Sequence, residues 1–165
     1  EAILRACERV EEFGLHIGAN YIFGLPDDTQ ESMKETLALA CEVNAAHTNF
    51  YCAMAYPGSP LHRVAIDRKW KLPEDPSGPG WIGYSQHAKD SLPLRTEALS
   101  YTDVLDFRDE AFMLYHTRPS FLNKLGRHFG SGAVETMQRI TALGKPARRH
   151  REVQPSYHPD DECPF

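Results

Sequence analysis

The stretch Gly18-Ala-Asn-Tyr-Ile22-Phe-Gly24-Leu-Pro-Asp-Asp-Thr29 decides how this chain folds. It closes a β-rich run, residues 16–25, that carries almost no charge and reads as a strand buried on both faces. Gly24 and Pro26 break that run, and Asp27 and Asp28 follow as loop residues. A helix over about residues 29–44 comes next. Asp28 is placed to cap it, with Glu31 three residues on. Met33, Leu37, Ala40 and Cys41 recur at helical spacing along its apolar face.

Working outward, Ile3, Ala6, Val10 and Phe13 give a helix over residues 1–13, stopped by Gly14. Residues 48–56 (TNFYCAMAY) read as a second buried strand, broken by Pro57-Gly58. Pro60 opens a short helix that runs to about Trp70. Strands alternating with helices imply an α/β arrangement with parallel strands and right-handed crossovers. Two such strands make no stable sheet by themselves. The first residue, Glu1, stands inside a helical pattern, so the chain reads as a piece of a longer protein.

Residues 71–95 lose this periodicity. LPEDPSGPG is a loop by composition, and WIGYSQHAKDSLPLR is aromatic and polar. Three helices are then expected. Ser100 with Asp103 forms a capping box for the first, which carries Val104, Phe107, Ala111, Leu114 and Tyr115. Pro119 starts the second, which ends at Gly130. Val134, Met137, Ile140 and Leu143 mark the third, which ends at Gly144. From Ala147 the chain has no periodicity and reads as disordered.

The composition excludes several classes. The chain has 165 residues, a net charge of −5 and 41% hydrophobic residues, which fits one globular domain without a basic footprint for nucleic acid. No apolar run approaches the ~18 residues of a membrane-spanning helix. Cys7, Cys41, Cys52 and Cys163 form no CxxC pair and read as buried free thiols in a reducing cytoplasm. The eight histidines show no zinc spacing, and His158, Asp160, Asp161 and Cys163 form at most a loose tail set. No residue here is a metal ligand by pattern.

In parallel α/β folds, ligands sit at the C-terminal ends of the strands. Gly24 there would let a flat ligand approach the backbone, and Ile22 would offer it an apolar face. A plain strand-to-helix turn explains the same residues. A phosphate loop does not, because no Lys follows and Asp27 and Asp28 repel phosphate.

The run from Gly18 to Thr29 resembles the fifth-strand motif of radical S-adenosylmethionine (SAM) enzymes, in the version G-x-x-x-I-x-G-L-P-x-[DE]-T. Gly18, Ile22, Gly24, Leu25, Pro26, Asp28 and Thr29 match; Asp27 stands where the broader pattern has Glu. Ala55-Tyr56-Pro57-Gly58-Ser59-Pro60-Leu61 is similar to the sixth-strand end P-Y-P-G-T-x-L. Trp81-Ile-Gly-Tyr84-Ser85-Gln86, residues 92–96 (LPLRT) and Phe107-Arg108-Asp109-Glu110-Ala111-Phe112 resemble the C-terminal region of the subgroup in which a cobalamin-binding domain precedes the barrel.

The resemblance implies the C-terminal part of a partial (β/α) barrel over residues 1–70. A connecting, substrate-facing segment at 71–98, a three-helix region at 99–145 and a disordered tail at 146–165 follow. It implies reductive cleavage of SAM to a 5′-deoxyadenosyl radical on a 4Fe–4S cluster, whose CxxxCxxC ligands lie outside this chain. Cobalamin, held by another domain, implies methyl transfer or related radical chemistry on an unknown substrate. Flavodoxin or ferredoxin is the expected electron donor. Ile22, Gly24, Leu25, Met54 and Tyr56 are the implied SAM contacts, and Tyr84 and Gln86 the candidate substrate contacts; no catalytic residue is assigned.

Packing is the simpler reading for Trp81, and solvated ion pairing for Arg108, Asp109 and Glu110. A non-catalytic α/β-helical module that binds a nucleotide or a partner protein stays open as the alternative. A doubly wound SAM methyltransferase would want a Gly-rich loop after its first strand, and none is visible.

Overall fold

The computed structural model describes residues 2–148. Its architecture is mixed α/β: six α-helices and one two-stranded parallel sheet. In chain order these are α1 (Ala2–Glu12), β1 (Gly18–Phe23), α2 (Gln30–Val43), β2 (His47–Cys52) and α3 (Pro60–Asp67), then α4 (Tyr101–Thr117), α5 (Pro119–Phe129) and α6 (Ser131–Thr141). A short 3-10 helix, Gly80–Tyr84, interrupts the long connection before α4.

β1 and β2 pair in register from Gly18↔His47 to Phe23↔Cys52. Successive side chains in a strand point to opposite faces. On one face Phe23, Phe50 and Cys52 are buried under Met33, Leu37 and Ala40 of α2 and Val104, Leu105, Ala111 and Tyr115 of α4. Aromatic rings interlock there: Phe50 lies 5.7 Å from Phe23 and 5.4 Å from Tyr115. The other face carries Asn20 and Ile22 from β1 and His47, Asn49 and Tyr51 from β2, and it stays open. Burial on both faces, expected from the uncharged run, is therefore corrected: the helices that cover the sheet all lie on one side.

Both strands are also shorter than the composition suggests. β1 ends at Phe23 because Gly24 turns the chain at φ 81°. Once β1 turns away, β2 loses its partner after Cys52; Ala53 adds one hydrogen bond to the Phe23 carbonyl (2.7 Å) and Ala53–Tyr56 continue as coil.

The cap of α2 differs from expectation in a way that matters at the strand end. Thr29, not Asp28, is the N-cap, and Ser32 returns the second bond of the box. Asp28 is thereby free to hold the turn: its carboxylate accepts from the backbone N–H of Gly24 (2.9 Å) and Leu25 (3.0 Å) and from Ser32 Oγ (2.7 Å). The Ser100–Asp103 box of α4, Pro60 at the start of α3 and Pro119 at the start of α5 are as expected. α3 ends at Asp67 rather than near Trp70, which instead anchors a small second core with Ala53, Ala55, Ala65, Leu72 and Leu94.

Burial bears on two further expectations. Arg108 and Asp109 are not solvated: they are only 3% and 2% exposed. The region expected to be disordered from Ala147 begins in an ordered way, because Arg148 is buried and binds Asp109 through both carboxylate oxygens (3.1 and 2.9 Å). The remaining tail, with Cys163 and the His158–Asp161 set, lies outside the described residues. Among the described residues, no helix is long and apolar enough to cross a membrane.

Candidate functional site

The C-terminal ends of β1 and β2 bring together most of the residues singled out by sequence. Ile22 lies beside Tyr51 across the register on the open face, and its side chain is 50% exposed. Leu25 follows from the turn, and Tyr56 from the segment after β2; both are exposed. These three are available to a ligand. Met54 is not: it is buried in the main core with Phe23 and Tyr84.

Gly24 has a structural requirement of its own. A Cβ built there would lie 2.4 Å from Val104 Cγ1, and the positive φ disfavours any other residue. The space expected for a ligand is filled by α4 on that side. Val104 is β-branched and stiff, so it cannot swing clear cheaply.

Tyr84 and Gln86 are both occupied by the protein itself. The Tyr84 hydroxyl donates to Glu74, whose other oxygen meets His62. Burial first, and the adjacent Glu74 second, hold the Tyr84 phenol well above its ordinary pKa. Burial opposes ionisation of Glu74 itself, but hydrogen bonds from Tyr84 and His62 outweigh it and keep that carboxyl below the usual range. Tyr56 stacks on the Tyr84 ring (centroids 5.3 Å apart). Trp81 is no packing anchor: it touches Tyr84 at 5.8 Å but stays 78% exposed.

The Gln86 side chain acts as a strand surrogate. Its amide oxygen accepts from the Cys52 N–H (2.9 Å) and its amide nitrogen donates to the Cys52 carbonyl (3.0 Å). Arg108 fixes Gln86 by donating to its backbone carbonyl. Arg108 Nε lies 3.2 Å from Asp109 Oδ1, a charge contact without the alignment of a hydrogen bond. A continuous chain thus links Arg148, Asp109, Arg108 and Gln86 to the end of β2. Burial first, and the nearby Arg108 and Arg148 guanidiniums second, hold His87 below its ordinary pKa, against the raising effect of Asp109.

Sequence reasoning missed Asn20, Asn49 and Tyr51. Asn49 donates to Asn20 Oδ1 (3.1 Å), forming a polar rung on the open face below the Ile22–Tyr51 pair. Strand alternation around Ile22 was the signal that could have found them. Glu74 and His62 were also missed; they stand 12 residues apart and no local pattern joins them.

No metal set is formed by three or more His, Cys, Asp or Glu side chains among the described residues. Cys7 and Cys41 are half-buried thiols outside any disulfide, and Cys52 is buried, which pushes its thiol up to about 11. A thiol so protonated is a poor nucleophile and a poor ligand.

No family model and no solved structure matches this chain. An uncharacterized methyltransferase of Pyrococcus horikoshii is 34% identical over 119 residues, a stretch that makes up 72% of this chain but 24% of that protein. The chain therefore spans about a quarter of the relative it matches, and it is a distant homologue of a protein named as a methyltransferase.

Proposed function

We propose that this chain is the SAM-cradling part of a SAM-dependent methyltransferase of the radical type that its motifs resemble. The observation that carries the reading is the open, apolar end of the sheet: Ile22 beside Tyr51, with Leu25 and Tyr56 exposed at the same strand ends. A flat, largely apolar adenine suits this surface, and the Asn20–Asn49 rung offers polar groups beside it. The methyltransferase name of the Pyrococcus protein supports SAM as the ligand.

Bound SAM would supply the methyl group or, on reductive cleavage, a 5′-deoxyadenosyl radical. The residues of this chain orient it. Asp28 fixes the turn at Gly24 through two backbone N–H groups, so that Ile22 and Leu25 stay in place. Gln86 and Arg108 hold the end of β2, and with it Tyr51 and Tyr56. The described residues do not offer a cluster site, since Cys52 is buried and protonated and no ligand set gathers. In this reading the cluster, cobalamin and the contact with a flavodoxin or ferredoxin belong to the rest of the enzyme, as does the substrate.

The test has two arms. SAM titrated into this chain should shift the NMR signals of Ile22, Leu25 and Tyr51 saturably; silence at all three would end the adenine placement. The longer enzyme, reduced under anaerobic conditions, should release 5′-deoxyadenosine from SAM. Release of S-adenosylhomocysteine alone would mean conventional methyl transfer and would remove the radical part of the reading.

A further inference from the structure

Residues 142–147 are all exposed, yet the strap they form leads to Arg148, whose side chain is wholly buried. α6, which precedes the strap, contributes no buried residue. Arg148 therefore enters the body as an anchor at the end of a surface segment. Its guanidinium donates to both oxygens of Asp109 (3.1 and 2.9 Å) and to the Ala88 carbonyl (2.5 Å). Arg108, from α4, donates to the Gln86 carbonyl. Two guanidiniums thus grip residues 86–88, one from within the body and one from the strap.

The buried cluster is also tenable without Arg148. One carboxylate stands between two guanidiniums, so the docked cluster carries a positive charge in excess. Removing one partner of a buried pair usually leaves a charge uncompensated. Here the departure of Arg148 leaves Asp109 and Arg108, which balance each other. Docking has a cost of its own. Arg148 takes both carboxylate oxygens, and the buried Arg108 Nε, 3.2 Å from Asp109 Oδ1, has no hydrogen-bond partner among the described residues. Once Arg148 leaves, the carboxylate can turn to that Nε and draw Arg108 away from Gln86. Opposed costs of this kind bring two arrangements close in free energy, which a switch requires.

We infer that Asp109 and the Ala88 carbonyl form a guanidinium pocket that Arg148 enters and leaves as a latch, and that its occupancy regulates the strand-end site by deciding whether Gln86 grips Cys52. With the pocket filled, Gln86 holds both backbone groups of Cys52, and with them Tyr51 and the segment to Tyr56. With the pocket empty, residues 86–88 loosen and the Gln86 amide is released at the end of β2. As a regulator of SAM binding the latch rests on the function proposed above; docking and SAM binding then favour each other. The latch itself does not need SAM.

Hydrogen exchange followed by NMR tests it. In the unaltered chain the Arg148 Nε–H, corrected for its intrinsic rate, should exchange about 100-fold faster than the Leu37 and Ala111 amides, because the latch opens without unfolding. Exchange as slow as at those amides overturns the latch and makes Arg148 a fixed strut. Arg148→Ala should lower protection of the Cys52 amide about 10-fold and leave Leu37 and Ala111 unchanged. Millimolar guanidinium, far below denaturing concentrations, should restore that protection saturably. An unchanged Cys52, an equal loss at Leu37 and Ala111, or no rescue by guanidinium each overturns the inference. SAM titrated into both proteins separates the latch from the site it regulates. Arg148→Ala should weaken SAM binding several-fold, with rescue by guanidinium, and equal affinities overturn the regulatory role. No SAM binding by the unaltered chain ends the SAM reading and the regulation with it, while the Cys52 response still decides the latch.

Discussion

Phe50 and Tyr51 are neighbours in one strand, yet they face two different environments. Phe50 is buried between β1, α2 and α4, while Tyr51 shares the open face with Ile22. The closed side of the sheet is secured by groups brought from far along the chain: Arg148, Asp109, Arg108, Gln86 and His116. The open side holds one short side-chain rung, Asn20–Asn49, and exposed apolar groups. The difference separates what the chain needs in order to fold from what it leaves available for a ligand.

Substitutions should respect that division. The largest loss is expected for Asp109→Asn, which leaves the buried Arg108 and Arg148 without their counter-charge. Urea unfolding should show a cost of about 3–5 kcal/mol, and a cost under ~1 kcal/mol would mean that the closed side does not depend on this cluster. Gly24→Ala comes next, at about 3 kcal/mol, from a positive φ together with overpacking against Val104. Val104→Ala should recover part of that loss in the double variant. For this reason a bulky residue at position 24 tests folding before it tests SAM binding.

The pH dependence offers a milder probe of the closed side. Burial pushes His116 down to about 4, against the raising effect of the Phe112 and Thr48 carbonyls. Its folded pKa lies below its unfolded value, so the unfolded chain takes up a proton first as the pH falls. The contribution is fully present above about pH 6.5 and is lost between there and pH 4, by on the order of 3 kcal/mol. In His116→Gln, stability curves between those pH values should flatten by a similar amount. Equal slopes in the two proteins would mean that His116 is solvated in solution.

The smallest effect is predicted on the open side. Ile22→Ala and Asn49→Ala should each change the stability of this chain by less than ~0.5 kcal/mol. Ile22→Ala should nevertheless weaken SAM binding several-fold. A large stability loss at either position would show that this face is packed rather than open.

The sequence by itself determined the order and type of the elements and most of their ends. Ser100 with Asp103, Pro60, Pro119 and the apolar spacing of α2 and α4 act within a few residues, and local chemistry sets them. The sequence also marked the turn at Gly24, where β1 stops, but placed the end of β2 at Tyr56, four residues past its last strand residue, Cys52. It failed where a decision rests on residues distant in the chain. Asp28 looked like a cap because Thr29 and Asp28 are both good ones, and the geometry of the Gly24 turn chose between them. Arg108 and Asp109 looked solvated because ion pairs on a helix usually are, until Arg148, 39 residues beyond Asp109, closed over them. Gln86 looked free for a substrate until it was seen filling the edge at Cys52, 34 residues away. Only the tertiary structure decided which face of the sheet is covered and which edge is sealed, because an uncharged strand has the same composition whether one face or both are buried.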